Sequence, residues 1–302
     1  MNSVRRALAL ANMIQLGFGD AELPRTLSAW NRYQRALNFI ATTNRLDKFP
    51  CSYLPLAVEP KQHLYMSAHY GLYAHALANI AFNAPRRRVA VLIGDQSSAQ
   101  ATLLKGIAAR HGCEIDFIHG GFSLIKGAKR AIAADTPIFM LIDVPWGLKD
   151  ATDGQVTLGR GTLRTRSAYF RLCDMLGLRP YFMLADADRN VKCHTVKHYG
   201  EVESCEILKI LCQSIEQKPY LWDRWYDCQK FTEARKFSTN VIPFRAEGRP
   251  YLLLAPSFRA FKVSEFVYRD FQKELRNHSD RGWRLSDRGD RMVQHLLGEK
   301  TG

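Results

Sequence analysis

Val89-Ala90-Val91-Leu92-Ile93 is an unbroken apolar run in which three of the five residues are β-branched. A run this short, with no polar alternation, reads as a strand covered on both faces. Working outward, residues 97–111 read as a helix, Ile115-Asp116-Phe117-Ile118 as a strand and 122–134 as a helix. Pro137-Ile138-Phe139-Met140-Leu141-Ile142 is the next strand. Upstream, His63-Leu64-Tyr65-Met66-Ser67-Ala68 reads as a strand and 71–82 as a helix. A loop with Gly147, Gly154, Gly159 and Gly161 follows the fourth strand, then a helix at 165–176 and a strand at 180–185. The alternation predicts an α/β fold: a mostly parallel sheet flanked by helices on both faces.

Helical N- and C-terminal additions complete the expected organisation. Residues 1–60 form a helical segment, with two helices broken near Gly17-Phe18-Gly19-Asp20 and Pro24 opening the second. Residues 61–235 form the α/β core, and 236–302 an extension packed on it. The last third, from about residue 200, reads as helical apart from Tyr251-Leu252-Leu253-Leu254-Ala255; the end, from about 277, is rich in Arg, Asp and Gly.

Composition narrows the function classes. With 302 residues and 46% apolar content, a large core is affordable and global disorder is excluded. A net charge of +14 favours acidic partners: nucleic acid, anionic lipid, a phosphorylated substrate or an acidic carrier protein. Nucleic acid is supported by charge alone, with no recognition motif of the usual kinds, and is not expected as a partner. The seven cysteines form no C-x-x-C pair, so no metal centre is expected; their scatter suits reduced thiols in a cytoplasmic protein. The apolar stretch within Met1–Phe18 is too short to span a bilayer. It reads as an amphipathic helix that either packs on the domain or lies on a membrane surface.

In parallel sheets, ligands bind at the carboxyl ends of the strands. Three segments follow strands directly: His69, Gly94-Asp95 and Asp143-Val144-Pro145-Trp146-Gly147. His69 lies in Ser67-Ala68-His69-Tyr70-Gly71, where a neutral imidazole can take a proton from an incoming hydroxyl or amine. The alternative is a histidine that caps the helix or satisfies buried backbone. Tyr70 is a candidate pocket residue or simply core, and Asp95 a site residue or the N-cap of its helix. Arg86-Arg87-Arg88 is a solvated edge or a contact for an acidic carrier. Gly159-Arg160-Gly161-Thr162, with Arg164 and Arg166, places cations near an expected helix start. The P-loop lysine pattern is absent. Such a pattern is what a phosphate cradle would use.

Ser67-Ala68-His69-Tyr70-Gly71-Leu72-Tyr73 resembles the first motif of the bacterial late acyltransferases of lipid A synthesis, the lauroyl and myristoyl transferases. That motif is H-x-x-x-x-D or E, often beginning His-Tyr-Gly. The helix with Arg130, the strand Pro137–Ile142, and then Asp143 and Gly147 fall in the family's order of arginine, aspartate and glycine. Val156-Thr157-Leu158-Gly159 is similar to the family's phenylalanine-glycine segment, and Pro219-Tyr220-Leu221-Trp222 to its proline-tryptophan segment. The match spans roughly residues 60–230.

The resemblance implies an acyltransferase-like fold and transfer of an acyl group from a thioester donor to a hydroxyl or amine. No bound cofactor is implied; the donor is an acyl-phosphopantetheine thioester on acyl carrier protein or coenzyme A. His69 is the implied general base, with Arg130 and Asp143 as catalytic candidates. Tyr70, Gly71, Asp95, Gly147, Gly159, Arg160 and Arg164 are substrate-binding candidates. The expected partner is an acidic acyl carrier protein, in the cytoplasm or peripherally on the inner membrane. The sequence departs from the family at Ala74, which stands in the position of the motif acid, and at Val144, which replaces a glutamine. Three outcomes follow: Asp95 or Asp143 supplies the acid from across the site, His69 acts alone on a reactive amine, or the protein is a catalytically lapsed, carrier-binding relative.

Overall fold

A computed structural model describes residues 3–18, 22–93, 98–119, 123–143, 154–165, 168–234, 241–255 and 258–277. The chain divides into two compact units. The first holds residues 1–31, 157–163 and 224–302, and the second 32–156 and 164–223. This differs from the division at 60 and 235, because residues 1–31 and the segment 157–163 belong with the C-terminal residues.

Two helices come first, α1 (Ser3–Gln15) and α2 (Leu23–Thr43). The larger unit then runs β1 (Cys51–Ser52), β2 (His63–Ser67), α3 (Ala74–Asn83), β3 (Arg88–Ile93), α4 (Ser98–Arg110), β4 (Glu114–His119), α5 (Ser123–Ala133) and β5 (Ile138–Leu141). After β6 (Gly154–Leu158) and β7 (Gly161–Thr165) come α6 (Ala168–Leu176), β8 (Arg179–Ala187), β9 (His194–Glu201) and α7 (Ser204–Gln217). Seven strands form one sheet in the order β1-β9-β8-β2-β5-β3-β4, and every pair but β8–β9 is parallel. The α/β reading from alternation therefore holds. β2 and β5 lie in the middle of the sheet and are buried along their whole length. Each large aliphatic side chain they hide contributes roughly 1.5–3 kcal/mol.

The order of the strands fixes where the helices lie. From β2 the chain moves past β5 to β3 and on to β4, so right-handed crossovers put α3 and α4 on one face. From β4 it moves back to β5 and then past β2 to β8, which puts α5 and α6 on the other. The contacts of α3 with α4, and of α5 with α6, agree. The connections leaving β2 and β5 thus diverge to opposite faces, which makes their carboxyl ends the switch point of the sheet.

The smaller unit is richer in strands than its sequence suggests. β10 (Thr232–Ala234) pairs with β7. β11 (Val241–Ala246), β12 (Arg249–Leu254) and β13 (Arg259–Lys262) form an antiparallel sheet, followed by α8 (Glu265–Asn277). Val241, Leu252, Leu254 and Phe271 form its core, and α1 packs on β11 and β12. The expectation of a helical last third is corrected: β11–β13 form a second sheet, while β9, just upstream of that region, extends the main one. A hairpin turn explains part of the miss, since Glu247 (φ 50°) and Gly248 (φ 77°) both take left-handed backbone between two strands. The loop expected around Gly154–Gly161 is also corrected, to the strands β6 and β7. Among the described residues no helix is long and apolar enough to cross a membrane.

Candidate active site

The site is built at the switch point. Ser67 of β2 is in register with Leu141 of β5, so His69 and Asp143, each two residues past its strand, meet side by side. Register thus joins residues 74 positions apart. Asp143 Oδ1 accepts two hydrogen bonds from His69, one from the backbone N–H at 3.0 Å and one from ring Nδ1 at 2.8 Å. Asp143 Oδ2 accepts a third, from Trp222 Nε1 at 2.9 Å.

The Asp143 side chain keeps none of its surface exposed, whereas that of His69 keeps 11%. Burial works against charge on Asp143, but the adjacent His69, the indole donor and the His69 amide outweigh it and hold its pKa below the ordinary carboxylate value. An ionised carboxylate only accepts, so the proton between the partners belongs on Nδ1. That fixes the tautomer in which Nε2 carries the lone pair. A histidine oriented this way by a buried carboxylate is the arrangement of a general base.

The loop that carries His69 is held from several sides. Gly71 takes a left-handed backbone (φ 56°), and a Cβ there would lie 1.8 Å from the Ala185 carbonyl oxygen. Only glycine fits, and this tight turn delays the start of α3 to Ala74 rather than residue 71. The Gly71 carbonyl accepts from the Tyr33 hydroxyl, and its N–H donates to the Leu221 carbonyl at 2.9 Å. Asp223 N–H donates to the His69 carbonyl at 2.9 Å, and Gln34 Nε2 holds the Asp223 carboxylate at 2.6 Å. The Tyr73 ring meets the His69 ring edge-on at 5.2 Å.

Of the residues singled out from sequence, His69, Tyr70, Gly71 and Asp143 gather here. Tyr70 is 2% exposed and donates to the Ser214 carbonyl at 3.0 Å, which makes it part of the wall beneath the loop rather than a pocket lining. Asp95 and Gly147 lie outside the described residues. Arg130 does not join His69. It is exposed in the last turn of α5, which leads back to the start of β5, and lines a groove with Arg88 and Thr136. Gly159 and Arg160 belong to the smaller unit, where they form the β6–β7 turn rather than a helix start. A Cβ on Gly159 would lie 2.2 Å from the Leu16 carbonyl, and the Arg160 amide donates to that carbonyl at 2.8 Å. This turn has a packing reason for its glycine. Arg164 lies inside β7. Ala74 carries no carboxylate; the acid that reaches the His69 ring is Asp143, which follows the neighbouring strand β5.

Sequence reasoning missed Trp222 as a partner of the acid. The signal available was general: a buried indole N–H needs an acceptor. No protein-family model matches the chain, and no curated protein matches it.

Proposed function

We propose that the protein is an acyltransferase that moves an acyl group from a thioester, on acyl carrier protein or coenzyme A, to a hydroxyl or amine. The observation that carries this reading is the buried Asp143 oriented on His69 at the switch point of a mostly parallel sheet. His69 Nε2 takes the proton of the acceptor as its oxygen or nitrogen attacks the thioester carbonyl. The new ester or amide bond forms, the carbon–sulfur bond breaks, and the imidazolium returns the proton to the departing sulfur. The similarity of residues 67–73 to the first motif of the lipid A late acyltransferases agrees with this chemistry. So does the surplus of 43 Lys and Arg over 29 Asp and Glu, which favours an acidic carrier as donor.

The test is thioester consumption by the full chain, using acyl-coenzyme A of graded length with added amines or alcohols and mass spectrometry of the products. Acceptor-dependent release of free thiol is expected. His69→Gln, whose side chain can still donate toward Asp143, should lose roughly 10²–10⁴-fold while the chain still folds. Thiol release of equal rate without any acceptor would make the protein a hydrolase. No consumption at any chain length, with tight binding of carrier protein, would favour a lapsed, carrier-binding relative.

A further inference from the structure

We infer that Trp222 is the positioning residue of the His69–Asp143 pair, and that the strap 219–223 is built to present it. A carboxylate beside a histidine can turn about its own bond and offer either oxygen, or both loosely. Here the two oxygens have separate duties. Oδ1 takes both donors of His69, and Oδ2 takes the Trp222 indole at 2.9 Å. The side chain of Asp143 has no exposed surface through which water could substitute for the indole.

The strap that brings Trp222 there also grips the histidine loop. Pro219–Leu221 form a single helical turn, after which Trp222 pairs with Tyr70 in an antiparallel bridge. On either side, the Leu221 carbonyl accepts from Gly71 and the Asp223 amide donates to the His69 carbonyl. Trp222 itself is 0% exposed. The same five residues therefore fix the backbone of the base and the rotation of the acid. One element sets both, so the separation of the two partners cannot drift independently.

The electrostatic consequence has a definite sign. Each donor to a carboxylate stabilises its charged form. Without the indole N–H, the Asp143 charge is less well held and draws a proton onto the pair more strongly, whichever partner carries it. The pair then takes up its first proton at higher pH. The inference rests on the reading of His69 and Asp143 as a working pair, but not on acyl transfer as their reaction.

The experiment is proton NMR titration of the His69 ring in the full chain labelled at histidine carbons, with His69→Gln to assign the resonance. Trp222→Phe should raise the His69 midpoint by about 0.5–1 pH unit, about half of the roughly 1–2 units that one hydrogen bond to a charged group is worth, because the indole acts on His69 only through Asp143. A second variant carries benzothienylalanine at position 222, which keeps the two-ring shape and replaces the N–H by sulfur. It should show the same shift and serves where Trp222→Phe does not fold. A midpoint within about 0.2 unit of the natural protein, in a variant that still folds, overturns the proposal; a lowered unfolding midpoint with no titration shift means Trp222 is packing only. If acyl transfer is also measured, kcat should fall about tenfold with KM little changed. A shifted titration without any transfer activity leaves the positioning role standing and removes the acyltransferase reading instead.

Discussion

His69 and His75 stand six positions apart, and both are buried, at 9% and 2% exposure. His69 faces a carboxylate. His75 faces a phenol and another imidazole: its Nδ1 lies 2.8 Å from the Tyr53 hydroxyl, and its ring is 5.3 Å from that of His194. Its Nε2 makes no hydrogen bond of normal geometry, and neither does His194 Nδ1. One turn along α3, Asn79 Nδ2 is 2.9 Å from His198 Nε2, and the Tyr181 hydroxyl approaches that ring's Nδ1 at 3.3 Å. α3 thus lies on β9 through a seam of imidazoles and neutral polar groups. Burial, then the neighbouring His194, pushes His75 down to about 3, with the Phe49 carbonyl offsetting only part of this. Burial also lowers His194 and His198. Burial alone makes a histidine a neutral packing piece. Opposite an ionised carboxylate the ring is instead oriented and its tautomer set, as a general base requires.

The most direct way to break this contrast is to make His69 resemble His75. Asp143→Asn keeps the shape but offers His69 an amide that both donates and accepts, so the tautomer is no longer fixed. In the proposed acyl transfer, thiol release should fall by roughly 10³–10⁴-fold. Gly71→Ala attacks the same loop through its backbone. The methyl would meet the Ala185 carbonyl oxygen at 1.8 Å in a left-handed conformation. The expected cost exceeds about 3 kcal/mol in urea unfolding, or the chain fails to fold.

The contrast also marks what could be read from sequence. The strand before His69 and the apolar runs of β3 and β5 were legible because parallel strands buried on both faces announce themselves by composition. Asp143 was one of two acids placed at strand ends, and choosing between them required the register of β2 on β5. Trp222 was not legible as the donor to Asp143, because an indole's acceptor depends on which loop the fold brings to it. β11 and the start of β12 were missed for a local reason. Pro243, Arg245, Arg249 and Pro250 interrupt their apolar pattern. Arg130 was misplaced because order along the chain says nothing about which end of a helix faces which end of the sheet.

The seam makes its own prediction, in pH. An unfolded histidine takes its proton near 6.5, while folded His75 resists it until about 3. Between those values the unfolded chain binds a proton that the fold excludes. Stability is therefore complete above pH 6.5 and is lost as pH falls, at about 1.4 kcal/mol per pH unit for one such group. His194 and His198 act in the same direction. Asp143, whose pKa is lowered from the carboxylate value of 3.8, adds its loss only below that value. Urea midpoints measured from pH 7.5 to 4 should fall steadily, and His75→Leu should flatten the slope by up to one proton. A slope unchanged in that variant would place the acid sensitivity elsewhere.

The smallest expected effect tests whether His69 works with the carboxyl ends of the strands alone. α5 follows β4 and returns to the start of β5, so its last turn lies at the opposite end of the sheet from His69. Arg130 there borders a groove of about 640 Å³ with Arg88, Lys126 and Asp116. The five residues of β2 separate the two ends by about 17 Å. A guanidinium at that distance from the reacting carbonyl is screened by solvent and cannot donate to the developing oxyanion. With a small acyl thioester, Arg130→Gln should change turnover by less than about threefold, within what a distant surface charge can do. A loss of a hundredfold or more would mean that this arginine touches the reacting group, and would overturn a site confined to the carboxyl ends of the strands.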